Sequence, residues 1–154
     1  MTESVWDYPR PPRVEPSSEH VVVTHGEMVV VDTTASLRVL ETSHPPTYYL
    51  PVADFVGGLL RPARGGSWCE WKGQATYYDL VVGDAVLPAV AWTYLDPSKG
   101  FEALVDHVAL YPGRVDRCTV DGEVVQPQPG SFYGGWITSR VTGPFKGGPG
   151  SSGW

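Results

Sequence analysis

Short turn signals divide the middle of this sequence into β-hairpins. The run HVVVTHGEMVVVDTT is rich in β-branched residues and is interrupted at His25-Gly26. Similar apolar runs meet at Gly83-Asp84 and at Asp121-Gly122. Two-residue hairpin turns need positive φ angles, which Gly and Asp adopt readily, and β-branched residues favour strands. The sequence therefore predicts a mainly β chain of antiparallel hairpins.

Helical segments are predicted to be few and short. Only VADFVGGLL and PSKGFEALVDH suit one or two helical turns, and Gly57-Gly58 weakens the first of these. With 154 residues, the chain has the size of a single domain that buries a core without disulfides or metals. Its 18 glycines and 15 prolines accompany 42% hydrophobic residues, which indicates a folded chain with many turns rather than a disordered one.

The charge and the cysteines limit the expected partners and compartment. A net charge of −6 disfavours binding to nucleic acid or to anionic lipid. No apolar run approaches ~18 residues, and the N-terminal segment lacks the apolar stretch of a secretory signal. Cys69 and Cys118 are then expected to be free thiols in a reducing compartment. We expect a cytoplasmic protein that binds neither nucleic acid nor a membrane, and we leave its oligomeric state open.

The two ends of the chain differ in composition from the middle. Residues 1–19 are rich in proline and charge and are predicted to form an extended arm. Residues 20–154 are predicted to form one domain that includes a glycine-rich C-terminal tail.

The tail combines glycines with aromatic residues. Ordering a glycine-rich chain costs backbone entropy, which buried aromatic rings offset. We therefore expect the stretch FYGGWIT to belong to the body of the domain, with Tyr133 and Trp136 close to SWCEWKG. Phe145 is expected to anchor the segment that follows.

Five ordered motifs resemble a known family. They are RVLETSHPPTYYLP, SWCEWKGQATYY, AWTYLDP, HVALYPGRVD and FYGGWITSRVTGPFKGGPG. Together they resemble the bacterial domain-of-unknown-function 427 family, over about Val21 to Trp154. The resemblance implies a small β-tent domain, similar in architecture to methionine sulfoxide reductase B, the Mss-four-like zinc proteins and the thalidomide-binding domain of cereblon.

The chemistry of nucleotidyl transfer and of zinc binding lacks its usual motifs here. The family is sometimes labelled nucleotidyltransferase-like, but the sequence contains no Asp-x-Asp pair to hold divalent metals and no phosphate-binding loop of the Gly-x-x-x-x-Gly-Lys-Ser/Thr type. It also lacks the Cys-x-x-Cys knuckles of structural zinc sites. We therefore expect neither a metal nor a cofactor.

Cys69 lies between two tryptophans in SWCEWKG and allows two interpretations. A nucleophilic cysteine needs a cationic neighbour and some exposure. In an extended strand Cys69 and Lys72 point to opposite faces, so that only a turn before Gly73 would bring them together. The alternative is a small buried side chain that packs between the tryptophans. Cys118, in the strand-like stretch RCTV, is interpreted as structural.

A second candidate group occupies the stretch RVLETSHPP. Glu41 and His44 precede two prolines that hold the next segment extended, so they are placed on a rigid corner. There they serve either as acid and base or as ligands for a polar group. The alternative is a structural corner in which Arg38 and Glu41 form an ion pair and His44 caps the turn.

These observations give one leading hypothesis and two alternatives. The leading hypothesis is that the domain binds a small molecule or modified peptide in an aromatic-lined cleft, because a few rings around polar groups suit such a ligand. One alternative is a small metal-independent enzyme, and the other is an interaction domain without a site. The candidate catalytic residues are Cys69, Glu41 and His44, and the candidate ligand-binding residues are Arg38, Tyr49, Trp71, Lys72, Tyr78 and Trp92.

Overall fold

The computed structural model describes residues 2–130 and 132–154, and this part of the chain is mainly β, as the sequence predicts. Its strands are β1 (Glu3–Ser4), β2 (Arg13–Ser17), β3 (Val21–His25), β4 (Met28–Thr33), β5 (Ser36–Leu40), β6 (Thr47–Pro51), β7 (Leu60–Cys69), β8 (Gly73–Val82), β9 (Ala85–Thr93), β10 (His107–Leu110), β11 (Arg117–Val120), β12 (Glu123–Val124), β13 (Gln126–Pro127), β14 (Trp136–Ile137) and β15 (Val141–Thr142). Single 3₁₀ turns span Val5–Asp7, Val52–Asp54, Glu102–Leu104 and Pro112–Arg114. The finer β-tent arrangement stays a prediction.

The three hairpins form where the turn signals predict them. Gly26 and Glu27, with φ angles of 56° and 67°, connect β3 to β4. Gly83, with φ 58°, begins the turn between β8 and β9. Asp121 and Gly122 have φ angles of 50° and 83° between β11 and β12, which is the backbone of a type I′ turn.

The strands assemble into two main antiparallel sheets. One has seven strands in the order β2-β5-β6-β10-β9-β8-β7, and the other has four strands in the order β12-β11-β3-β4. The hairpins are therefore divided between the sheets. Two short pairs complete the fold, β1 parallel to β15 and β13 antiparallel to β14.

The main core lies between the two sheets. Because side chains alternate along a strand, Tyr48 and Leu50 of β6 point into this core while Tyr49 points to the opposite face of the larger sheet. Trp136 is fully buried in the same core, where its ring centroid lies 5.0 Å from that of Tyr48. The prediction that Trp136 packs near SWCEWKG is wrong. The backbone N–H of Trp136 donates a hydrogen bond to the Pro46 carbonyl, which places this residue beside β6.

Both ends of the chain pack on the body. The segment predicted as an arm contains β1 and β2, and β2 forms one edge of the seven-stranded sheet. Val5 is completely buried against Leu40 and Val141, and Phe145 packs on the same cluster. The expected role of Phe145 as an anchor of the tail is confirmed.

The described residues contain only short helical turns. Accordingly, no helix within residues 2–130 and 132–154 has the length and apolar character that crossing a bilayer requires.

Candidate functional site

A cavity of about 320 Å³ opens on the face of the seven-stranded sheet that points away from the smaller sheet. The sheet supplies its floor through Val39, Tyr49, Ala75, Tyr77, Trp92 and Tyr94. Its walls come from the corner at 41–47, the turn at 69–72, Gln128, the segment 132–134 and Lys146. A cavity of this size falls within the range of small-molecule sites.

Strand alternation decides which tyrosine of the pair on β8 reaches the cavity. Tyr77 lines it, and its hydroxyl donates to Ser67 Oγ over 2.9 Å. Tyr78 points to the other face and packs against the core between the sheets. The prediction that Tyr78 shares the cavity with Glu41 and Lys72 is therefore wrong, because a one-residue step along a strand reverses the face.

Arg38, also predicted to bind a ligand, lies outside the cavity. Its neighbour Val39 points into the cavity, and the Arg38 side chain is 1% exposed on the opposite face of β5. There the guanidinium donates to Glu3 Oε1 over 2.7 Å and to the Tyr8 hydroxyl over 3.2 Å. Arg38 thus holds the N-terminal segment on the sheet and does not pair with Glu41.

The aromatic floor is held by contacts among its own rings. Trp92 Nε1 donates to the Tyr49 hydroxyl over 3.2 Å, and the two rings are perpendicular. The Tyr111 ring lies with its centroid 4.7 Å from that of Trp92, and the Tyr94 ring centroid lies 6.3 Å from that of Tyr49. Because each ring restricts its neighbours, the floor is organised before any ligand enters.

The segment from Phe132 to Gly134 closes one side of the cavity. A Cβ added at Gly134 would overlap the Trp92 ring, so this backbone approaches the ring as only glycine allows. The preceding residue, Tyr133, contacts His44 edge to face, with ring centroids 5.1 Å apart. At the rim, Phe132 and Trp68 are each 71% exposed, which leaves two large apolar side chains at the entrance.

A tight turn brings Cys69 and Lys72 to the same cavity. Strand β7 ends at Cys69, which pairs with Gly73 at the start of β8, so residues 70–72 form the reversal. Gly73 has φ 105°, and a Cβ there would lie 3.2 Å from Ser98 Oγ. The Ser98 N–H donates to the Lys72 carbonyl over 2.9 Å and fixes the turn. Of the two arrangements considered for SWCEWKG, the structure has the turn.

Lys72 lies among polar groups of the cavity. Burial by itself would lower the pKa of Lys72, but the Tyr49 hydroxyl, the Cys69 sulfur and the Glu41 carboxylate outweigh burial and raise it. Its Nζ also lies 5.8 Å from the centre of the Tyr94 ring. Burial raises the pKa values of both Tyr49 and Tyr94, so these phenols stay neutral at neutral pH. The ammonium form of Lys72 is therefore the form present in the cavity.

Glu41 and His44 lie together on the opposite wall. Glu41 Oε2 is 3.3 Å from Arg10 Nε and 3.8 Å from His44 Nε2. Burial lowers the pKa of His44, and the Glu41 carboxylate only partly opposes this effect. His44 is thus neutral at neutral pH, with Nδ1 placed 3.1 Å from the Gln128 side-chain nitrogen.

Seven of the nine candidate residues from the sequence surround this cavity: Cys69, Glu41, His44, Tyr49, Trp71, Lys72 and Trp92. The lining residues that were not candidates include Gln128, Lys146 and Phe132. The stretch QPQPG around Gln128 carries no periodicity or motif that marks a buried amide. Within the described ranges, no group of three or more His, Cys, Asp or Glu side chains is arranged to hold a metal ion.

The fold and the cavity define a class of small, mainly β domains with an aromatic-lined cleft on the outer face of a sheet. The chain belongs to the domain of unknown function family DUF427, whose model matches residues 13–121. The matched region runs from β2 to the turn after β11 and includes the cavity floor and the Cys69 turn. The wall formed by Gln128, Tyr133 and Lys146 lies beyond it. No curated protein matches this chain.

Proposed function

We propose that this protein binds a small molecule with a planar, largely apolar part in the cavity on the outer face of the seven-stranded sheet. The observation that carries the proposal is the preorganised aromatic floor, in which Trp92 donates a hydrogen bond to Tyr49 and its ring contacts the Tyr111 ring. Flat ligands gain both apolar burial and ring contacts on such a floor. The partner class is thus a small molecule, with a modified peptide side chain as the related case.

The residues around the floor favour binding of the ligand in one defined orientation. Gln128, His44 and Lys72 place polar groups around the rings. A mostly apolar cavity with a few directed polar groups gives both affinity and orientation. Both cysteines are free, which agrees with a protein that works in a reducing compartment such as the cytoplasm.

Adjacent tyrosines on β8 provide a matched test of the proposal. Indole is titrated into ¹⁵N-labelled protein, and the dissociation constant is obtained from backbone amide shifts. Tyr77→Leu, which alters the cavity, is expected to weaken indole binding at least about fivefold, since part of the aromatic floor is lost. Tyr78→Leu, on the opposite face, is expected to change it less than about twofold.

Several results would contradict small-molecule binding at this place. Shifts confined to residues outside the cavity, or equal effects of the two substitutions, would do so. If indole and related planar heterocycles such as quinoline leave the spectrum unchanged, a domain that acts through protein contacts without a ligand site becomes the better account.

A second candidate function is thiol chemistry, favoured by the convergence of Cys69, Lys72, Glu41 and His44 on one cavity. In this account the Cys69 thiol gives its proton to His44 or Glu41 and attacks an acyl group, and the leaving group departs as the thioester forms. Water then hydrolyses the thioester, which releases the acid and regenerates the thiol. The protein is incubated with p-nitrophenyl acetate. A thiol enzyme is expected to gain one acetyl group on Cys69 and to release p-nitrophenolate repeatedly. Release no faster than that of Cys69→Ala would exclude this function.

A further inference from the structure

Two glutamates, Glu41 and Glu70, and two lysines, Lys72 and Lys146, line the cavity. The Glu41 carboxylate is held by Arg10, with 3.3 Å between Oε2 and Nε. Lys146 Nζ donates to the Trp154 carbonyl oxygen over 2.9 Å. Among residues 2–130 and 132–154, no carboxylate oxygen lies within 4.0 Å of Lys72 Nζ.

We infer that the ligand of this cavity carries an oxyanion, a carboxylate or a phosphate, that binds to Lys72 while its planar part lies on the floor around Trp92. This inference rests on the proposed small-molecule function and names the chemical class of the ligand. It follows from the position of a cation that lines a partly dehydrated cavity without a carboxylate at hydrogen-bond distance. Charged groups in such places are normally paired, because burying an unpaired charge is unfavourable.

Of the neighbours of Lys72, the Cys69 sulfur and the Glu41 carboxylate raise its pKa, whereas the two phenols supply no negative charge. Tyr49 and Tyr94 are neutral phenols at neutral pH, because burial raises their pKa values. The contact with the Tyr94 ring, 5.8 Å from Nζ, is a cation–π interaction and leaves the ammonium protons available to an acceptor. The ammonium group of Lys72 is therefore available to donate hydrogen bonds to a ligand oxyanion in the cavity.

The turn that carries Lys72 fixes the backbone of this residue, and its ammonium group lies beside the Tyr94 ring of the aromatic floor. Its carbonyl is bound by the Ser98 N–H, and the next residue, Gly73, starts β8. A lysine whose backbone is held in this way loses less freedom on binding than a lysine on a mobile loop. The distance between the ammonium and the rings thus selects ligands whose charge and ring are closely linked.

The test compares anionic and neutral ligands of the same shape. Indole-3-acetate and indole-3-acetamide represent the carboxylate case, and 1-naphthyl phosphate and 1-naphthol represent the phosphate case. Dissociation constants are measured by amide-shift titration at low salt. We expect at least one anion to bind about tenfold more tightly than its neutral counterpart, as a charge-assisted hydrogen bond contributes. The pair that shows the larger ratio identifies the type of oxyanion.

Substitutions at two cavity lysines locate the effect. Lys72→Met keeps much of the stem but removes the charge, so the preference for the anion should disappear while the neutral probe still binds. Lys72→Arg should retain part of the preference. Lys146→Met tests the other cavity lysine, and Lys99→Met, at an exposed lysine that does not line the cavity, is the control that should retain the preference fully. Thermal melts of each variant verify that the fold is intact.

The outcomes distinguish this inference from the proposed function. If indole-3-acetamide or 1-naphthol binds in the cavity and neither anion binds more tightly, the oxyanion inference is wrong and small-molecule binding stands. A preference that survives Lys72→Met but is lost in Lys146→Met also overturns it. If none of the four probes binds, both proposals fall.

Discussion

The Gln128 side-chain nitrogen donates to His44 Nδ1 over 3.1 Å, although 84 positions separate the two residues. The same nitrogen donates to the Lys146 carbonyl over 2.8 Å, and Gln128 Oε1 accepts from the Gly135 N–H over 3.0 Å. One buried amide therefore joins the corner at His44, the glycine segment beside Trp92 and the C-terminal tail. The wall of the cavity depends on this connection.

Loss of the Gln128 amide should destabilise the fold. Gln128→Leu leaves buried polar atoms of His44, Gly135 and Lys146 without their partner, so we expect the free energy of unfolding to fall by at least about 2 kcal/mol in urea denaturation. Gln126→Leu is the matched control, because Gln126 is exposed, and its effect should stay within about 0.5 kcal/mol. Equal losses for the two variants would show that the amide connections contribute little.

A methyl group at Gly134 should disturb the cavity directly. Gly134→Ala places a Cβ against the Trp92 ring, and relief of this overlap is expected to cost about 1–3 kcal/mol of stability and to weaken indole binding. Gly57→Ala is the control, since a Cβ at Gly57 meets nothing within 4 Å. Thermal unfolding and indole titration of both variants check this. A Gly134→Ala protein with unchanged binding would contradict the close approach.

The N-terminal contact at Glu3 predicts a pH dependence of stability. Partial burial would raise the pKa of Glu3, but hydrogen bonds from Arg38 and Tyr8 outweigh it and lower this pKa from 4.5 to about 2. A depressed carboxyl pKa stabilises the fold above pH 4.5, and this contribution is lost as the pH falls toward 2.

The comparison of wild type with Glu3→Gln isolates that contribution. The gap between their unfolding midpoints should be largest at pH 6 and should narrow between pH 4.5 and pH 2. Glu70→Gln, at an exposed carboxylate, serves as the control for general charge effects. A Glu3→Gln gap that is constant over this range would refute the role of the ion pair.

The two cysteines should differ in reactivity. Cys118 is 2% exposed, and burial raises its pKa to about 12, so neither access nor the thiolate form is available. Cys69 is half-buried and lines the cavity. Iodoacetamide is therefore expected to add one group to the native protein, at Cys69, and a second only in urea, as measured by mass spectrometry. The Cys69→Ser protein should take up none in its native state, and rapid native labelling of Cys118 would disprove this.

Local features of the sequence determined the elements of this fold. The dipeptides at residues 25–26, 83–84 and 121–122 predicted three hairpins that all form, because turn geometry depends on the φ angles of adjacent residues. Seven of the nine candidate residues line one cavity, because the motifs that carry them belong to neighbouring strands and their connections. Mainly β character likewise follows from composition and local pattern.

Only the tertiary structure decided which face of each strand bears the cavity. Alternation shows that Arg38 and Val39, or Tyr77 and Tyr78, point to opposite faces, but it does not show which face the smaller sheet covers. The order of the strands in the two sheets settles that choice, and it depends on pairings between distant segments. For the same reason the places of Trp136 in the core and of Gln128 behind His44 were not predictable, since both depend on contacts about 85 residues away along the chain.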